Sequence, residues 1–504
     1  MKLLKVFMSR FFIYATLIII QAFYILFMAS ILTDYNYYVN MFFMILSWSI
    51  SIWLLNKDEN PSYKMVWIIM ILLFPSIGGL MYLLIGNKRP SHWLKKKIKP
   101  EVEKMRQYMI QNEDIKRTII NKKIISLEYL NNLSFPVYKH TKTKYYSLGD
   151  YNYRDLLFDL KNAKHFIFME YFIVSQGLMY NAIFDILEEK VKEGVDVRFI
   201  YDDFGSLSTV PFHFKQKLEA KGIKVVCFNT FVPFFSTSQN HRDHRKICVI
   251  DGYIGYSGGF NIADEYINAK IRFGHWKDTG IRLEGEAVWS LTTMFLSTYY
   301  AYHKETVEDI NAFRPEVYGS LPFESDGYVL PYGDDPLDDE GVGENVYLNL
   351  ITHASKEIMI MTPYFIIDDT MLKALTLAAR NGVKIKIFTP HIPDKKIVFR
   401  VTRSYYYNLI KAGIEVYEYM PGFLHAKVML VDGKIATVGT INYDYRSLYL
   451  HFECNVLLYQ CESIHDIKAD FDELETLCAR VPMRESRRFK GIFEALLRLV
   501  SPLL

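Results

Sequence analysis

Cysteine is scarce and poorly placed for structural chemistry. The 504 residues hold 5 of them, Cys227, Cys248, Cys454, Cys461 and Cys478. The odd count and the lack of a CxxC pair exclude a disulfide framework and favour a reducing compartment for the bulk of the chain. Cys248 and Cys454 lie in apolar or motif segments, where a free thiol behaves as a small core residue. Net charge is scarce as well: the formal value of +3 points neither toward nor away from an anionic partner. General disorder is excluded, because 50% of the chain is apolar and 15% aromatic. The length suffices for two ordinary domains and an appendage.

What the chain does have is three uncharged apolar runs at its start: Phe11–Leu32, Tyr37–Leu55 and Met65–Gly86. Each is long enough to span a bilayer as a helix, and the first is too long for a cleavable signal peptide. Pro75, Gly78 and Gly79 interrupt the third, so a re-entrant hairpin competes with a span. Lys2, Lys5 and Arg10 precede the first run, while Thr33–Asn36 carries no basic residue, which puts the N-terminus in the cytoplasm. Between Lys88 and Lys123 stand 12 Lys/Arg against 4 Asp/Glu. This block reads as a juxtamembrane collar for anionic headgroups, or as a solvated helix face. Two spans and a re-entrant third run would keep it, and all that follows, cytoplasmic. The expected organisation is therefore a membrane anchor over 1–90 and a basic linker over 91–135. A tail over 485–504 has Phe489, Ile492, Phe493, Leu496, Val500 and Leu503 at helical spacing beside Arg487, Arg488, Lys490 and Arg498. It suits either a membrane interface or packing on the parent domain.

Between linker and tail the chain repeats itself. His-Arg-Lys-Ile-Cys-Val-Ile-Asp-Gly begins at His244 and His-Ala-Lys-Val-Met-Leu-Val-Asp-Gly at His425. His244/His425, Lys246/Lys427, Asp251/Asp432, Gly258/Gly439 and Asn261/Asn442 all differ by 181. Looser echoes link Ala163–Phe172 with Ser355–Phe365, Gly194-Val195 with Gly382-Val383, and Gly222-Ile223 with Gly413-Ile414. Strand-like runs alternate with helical stretches such as Asn181–Glu193 and Met371–Asn381, so two similar α/β halves are expected, over 136–315 and 316–484. A histidine and a lysine two residues apart share one face of a strand. The four apolar residues that follow fit a buried strand, and Asp-Gly predicts a two-residue hairpin. Asp251 and Asp432 then fall in the turn and read as structural. Gly258 and Gly439 would bring backbone N–H groups to an anion, with the amides of Asn261 and Asn442 as further donors.

One such match is weak; two in register are not. Two lysines and two asparagines around one phosphodiester would neutralise it and favour the transition state. One neutral imidazole could attack phosphorus while the other, protonated, serves the leaving alkoxide and then the incoming alcohol. Each imidazole needs a carboxylate on its second nitrogen. Glu453, in the strand-like His451–Leu457, is the candidate for His425, and Asp278, in Trp-Lys-Asp, the candidate for His244. The lysines supply the charge, so no metal or cofactor is required, and the His241/His244 HxxH spacing lacks the partners of a zinc site.

These residues closely resemble the phospholipase D superfamily and, within it, the bacterial cardiolipin synthases. The resemblance runs from about Gly86 to the end and rests on Asn240–Lys246, Ser257–Asn261, Thr362–Phe365 and Gly439–Ser447. It implies two phospholipase D-like α/β halves packed as a pseudo-dimer behind N-terminal transmembrane helices. His244, Lys246 and Asp251 then form one catalytic motif, and His425, Lys427 and Asp432 the other. The first histidine would be the nucleophile and the second the acid/base. The implied reaction joins two phosphatidylglycerols into cardiolipin and glycerol in the bacterial cell membrane. Ile367 stands where such synthases usually have Pro, and His451 where Asn is common, which touches fine substrate preference only. A phospholipase D hydrolase or another headgroup-exchange enzyme would use the same residues. A nuclease is disfavoured by the apolar runs, and a membrane scaffold by the completeness of both motifs.

Overall fold

A computed structural model describes residues 16–23, 27, 37–75, 77–86, 88, 90–121, 124–232, 237–303, 309–325, 327–489 and 491–503. The expected run Phe11–Leu32 and the charges flanking it lie largely outside the described residues; 16–23 are helical. The second run forms the helix Tyr37–Asn56, the one helix among the described residues long and apolar enough to cross a membrane. The third is not a continuous span. Asn60 caps a helix over Pro61–Leu73, Phe74 closes it, and a new short helix starts at Gly78. Thirteen residues reach about 20 Å at 1.5 Å per residue, short of the ~30 Å hydrocarbon core. Pro75 cannot donate the next helical hydrogen bond, and its carbonyl instead accepts from Ser47 Oγ at 2.5 Å. The chain turns back onto Tyr37–Asn56, so close that a Cβ on Gly79 would lie 2.6 Å from Ser47 Oγ.

The repeated halves are α/β, as expected. The first sheet contains β1 (Thr141–Tyr146), β2 (Phe166–Tyr171), β3 (Asp196–Asp202), β4 (Lys224–Phe228), β5 (Ile247–Ile250), β6 (Ile254–Gly258) and β8 (Gly280–Gly285), in the order β1-β8-β6-β5-β2-β3-β4. The second contains β9 (Tyr328–Asp334), β10 (Glu357–Met361), β11 (Lys384–Pro390), β12 (Glu415–Tyr419), β14 (Val428–Val431), β15 (Ile435–Gly439), β16 (Glu453–Tyr459) and β17 (Cys478–Arg480). Its order β17-β12-β11-β10-β14-β15-β16-β9 reproduces the first, with β17 added at one edge. Helices Leu178–Lys192 and Asp369–Arg380 lie where the echoes place them. The echoed glycines Gly194, Gly222, Gly382 and Gly413 all take positive φ just after a helix, the left-handed stop that precedes the next strand.

The two sheets share a core. Alternate residues of each motif strand divide between cores: Ile247 and Val249 meet Val428 and Leu430 in the joint core, while Cys248 and Ile250, or Met429 and Val431, face their own helices. The wholly apolar four-residue runs are thus strands covered on both faces. The segment 91–135, expected as a linker, is folded: Leu94, Ile98 and Met105 enter the joint core, and Ile115, Ile119, Leu127 and Leu130 that of the second half. The tail helix Ile492–Val500 packs through Leu497 and an ion pair between Glu494 and Arg400, yet leaves Ile492, Phe493 and Leu496 exposed. Packing on the parent domain is thus observed, and the opposite face is left exposed.

The Asp-Gly turns hold three residues, not two, since Ile250 pairs with Ile254 and Val431 with Ile435. Both aspartates take positive φ, and their carboxylates turn inward. Asp251 accepts from the amides of Lys164, His165 and Phe166 at 2.8–2.9 Å; Asp432 accepts from those of Ser355, Lys356 and Glu357 at 2.7–3.0 Å. They tie the start of β2 and β10 to the motif hairpin, at the far end of β5 and β14 from His244 and His425. Asp251→Ala and Asp432→Ala are each expected to cost about 1–3 kcal/mol by leaving amides unpaired, read as a lower melting temperature with turnover per folded molecule retained. Unchanged melting with lost turnover would make them chemical.

Candidate active site

Each half completes the other. The short strands β7 (His275–Lys277) and β13 (Gly422–Leu424) pair in parallel across the junction, and the His425 amide donates to the Lys277 carbonyl at 2.7 Å. Its counterpart is the His244 amide, which donates to the Phe452 carbonyl at 2.9 Å. The residue after each accepting carbonyl is a carboxylate, so this backbone register delivers Asp278 to His425 and Glu453 to His244. Nδ1 of His425 lies 2.6 Å from Asp278, and Nδ1 of His244 lies 2.9 Å from both Glu453 oxygens. The sequence expectation had paired them within halves; the observed pairing is crossed. Thr279 N fixes Asp278, and the Thr440 hydroxyl fixes Glu453. With Nδ1–H committed to a carboxylate, Nε2 of each imidazole carries the reactive lone pair.

Charge explains the rest. Burial, reinforced by Lys246, Lys427 and His425, pushes His244 well below its ordinary value, and burial with Lys427 brings His425 down to about 4. Burial likewise lowers Lys246 to about 8 and Lys427 to about 7, opposed by Glu453 and Asp278. Lys246 donates to the carbonyl of His244, and Lys427 to that of His425. Four basic groups therefore share a buried space with two carboxylates already engaged, an arrangement that an inserted phosphate would relieve. Phe172 closes edge-on over His244, while Tyr266, Trp276 and Phe423 surround His425.

Other expected donors have different work. Asn261 accepts from the Ile173 amide and donates to the Tyr266 hydroxyl; Asn442 donates to Ser447 Oγ. Each thus shapes the loop beside its half-site. Neighbouring strands require glycine at Gly258 and Gly439. A Cβ there would lie 2.5 Å from the Thr279 carbonyl or 2.4 Å from that of Cys454. His241 is turned to the Leu450 carbonyl. The sequence assigned His451 only a bearing on substrate preference, and Arg446 no role; the His451 ring lies 5.5 Å from that of His244 and touches Glu453, and Arg446 lies 3.5 Å from His451. Donor atoms of His244, His451 and Glu453 come within 4.8 Å of one another, close enough for a cation to compete there. An unexpected His among the motif residues at 451 was the available signal.

Duplicated sheets with two His-Lys half-sites, each imidazole braced from the opposite half, define a phospholipase D-type phosphodiester transferase. The family described as "Cardiolipin synthase, PLD-like domain" matches residues 156–271 and 347–475, and one described as "Phospholipase_D-nuclease N-terminal" matches 45–87. A cardiolipin synthase of Alkalihalophilus pseudofirmus is 35% identical over 89% of this chain and 90% of its own, and cardiolipin synthase 2 of Bacillus cereus 37% identical over 89% and 88%. An uncharacterized protein of Streptococcus mutans reaches 42%, covering 90% of this chain and 99% of that one. The chain belongs to the cardiolipin synthase family of the phospholipase D superfamily. The fold is also that of a phosphatidylserine synthase from Haemophilus influenzae, at 14% identity and a TM-score of 0.56, covering 76% of this chain and 100% of that one.

The lowered lysines set a pH dependence. A phosphodiester binds their charged forms, so binding takes up protons. The kcat/KM for a short-chain phosphatidylglycerol is expected to fall as pH rises through about 7 and about 8. A profile that stays flat into the ordinary lysine range contradicts this.

Proposed function

We propose that this chain is a membrane-bound cardiolipin synthase that transfers the phosphatidyl group of one phosphatidylglycerol to the glycerol headgroup of another. The crossed pairing carries the reading, because it leaves two Nε2 atoms with opposite tasks at one lysine-lined site. His244, kept neutral by burial and the adjacent lysines, attacks phosphorus; the bond to the glycerol oxygen breaks and a phosphatidyl-histidine forms. His425, protonated once the phosphate charge lies beside it, gives its proton to the departing alkoxide, releasing glycerol. Now neutral, it takes the proton of the second lipid's primary hydroxyl. That oxygen attacks phosphorus, the P–N bond breaks, and cardiolipin leaves. Lys246 and Lys427 neutralise the phosphoryl oxygens throughout, and bond order is conserved, so no nucleotide is consumed.

Membrane association follows from the apolar helix Tyr37–Asn56 and the family. We infer a multi-pass anchor with the catalytic body on the cytoplasmic face, supported by the basic residues between Lys88 and Lys123 and before the first run. Labelled phosphatidylglycerol in liposomes should yield cardiolipin and glycerol in equal amounts without phosphatidic acid, and should do so in EDTA. His244→Ala and His425→Ala should both abolish synthesis, and only the former should fail to trap an acid-labile phosphatidyl adduct. Phosphatidic acid as the main product, an adduct on His425, or activity lost in EDTA and restored by zinc would each overturn the corresponding part.

A further inference from the structure

A cavity of about 570 Å³ lies between the broken third run and the catalytic body. Its volume is that of a small-molecule site. One wall is the folded-back hairpin: Trp67, Met70, Phe74 and Ile77. The opposite wall belongs to the catalytic halves, with Phe231 from the loop after β4 and Leu450 beside the active site. Arg446 also lines it; its Nε meets His451 at 3.5 Å, and the Asp444 carboxylate, which caps the following turn through the amides of Arg446 and Ser447, acts on it electrostatically. Burial lowers Arg446 from its ordinary value. His451 in turn lies beside His244. The cavity is thus apolar where the membrane segment forms it and cationic where it approaches the nucleophile. Asn240 Nδ2 donates to the Ile85 carbonyl at 3.4 Å, fastening the hairpin to the loop that leads into the first motif.

We propose that this cavity receives acyl chain of the donor phospholipid, with Arg446 meeting the glycerol-phosphate end as its phosphorus reaches His244. The hairpin would then be a wall of the substrate site as well as an anchor. The occupant follows from three observations: the wall continues the apolar segment packed on Tyr37–Asn56, the charged side chain lining its inner end among the described residues is Arg446, and that guanidinium stands one side chain from His244. The inference rests on the reading of the site as a phosphatidyl transferase.

Two substrates separate the inference from that reading. Full-length protein carrying Met70→Trp or Ile77→Trp, which narrow the cavity, is assayed on dioleoyl and on dihexanoyl phosphatidylglycerol. Leu73→Trp, on an exposed face of the same helix, is the control. Narrowing should lower kcat/KM roughly 10-fold or more on the long-chain lipid, leave the short-chain lipid unaffected, and spare the control. A phosphatidylglycerol with a photoreactive group in its acyl chain should label peptides within 61–86 of the wild-type protein. Equal effects on both lipids, or label confined to Tyr37–Asn56, would overturn the cavity assignment. Failure of the wild-type enzyme on dihexanoyl lipid with dioleoyl turnover intact would also count against it, because a site that tolerates an unfilled cavity is what the separation requires. No cardiolipin from either lipid would sink the transferase reading instead.

Discussion

Everything in this molecule turns on a backbone register across the junction of its halves. The donation of the His425 amide to Lys277, and of the His244 amide to Phe452, sets which residue comes next to each imidazole. In both places that residue is a carboxylate. Neither half can orient its own histidine, so the active site exists only when the two sheets close over their joint core. The apolar faces of β5 and β14 that form this core are therefore also what aligns the chemistry. Folding energy and catalytic geometry are linked through one interface, which gives a physical reason for the halves to be covalently joined.

The second constraint is electrostatic. Removing four basic side chains from water is unfavourable, and Lys246, Lys427, His244 and His425 all hold their protons less tightly than they would in solvent. Asp278 and Glu453 offset part of this, but their lone pairs are occupied by the imidazoles and by Thr279 and Thr440. A phosphodiester supplies the missing negative charge, and in the transition state more of it develops within reach of the same cations.

Much of this was legible in the amino acids. The 181-residue offset gave the duplication, the apolar tetrapeptides gave the doubly covered strands, and Pro75 marked the break in the third apolar run. The carboxylates were found but mispaired. Asp278 follows His244 and Glu453 follows His425 within the same repeat, so chain order suggests local partners, whereas parallel pairing of β7 with β13 and of Asp243 with Phe452 exchanges them. Segment 91–135 was read by its lysines, which hid Leu94, Ile98 and Met105 on the opposite helix face. Asn261, Asn442, Gly258 and Gly439 were read as anion donors because the motif places them near one. Strands and loops distant in sequence, such as Thr279 and Ile173, also constrain them.

The crossed pairing is tested most directly with a phosphatidyl-p-nitrophenol substrate, whose leaving group departs without a proton. The burst of nitrophenol then reports attack by His244 alone. Glu453→Gln should slow that burst by roughly 10²–10⁴-fold, by analogy with loss of a triad carboxylate. Asp278→Asn, which acts on the acid/base His425, should leave the burst near its normal rate and block only the transfer that follows. A burst slowed by Asp278→Asn and spared by Glu453→Gln would contradict the account, because it would make Asp278 and not Glu453 the partner of the nucleophile.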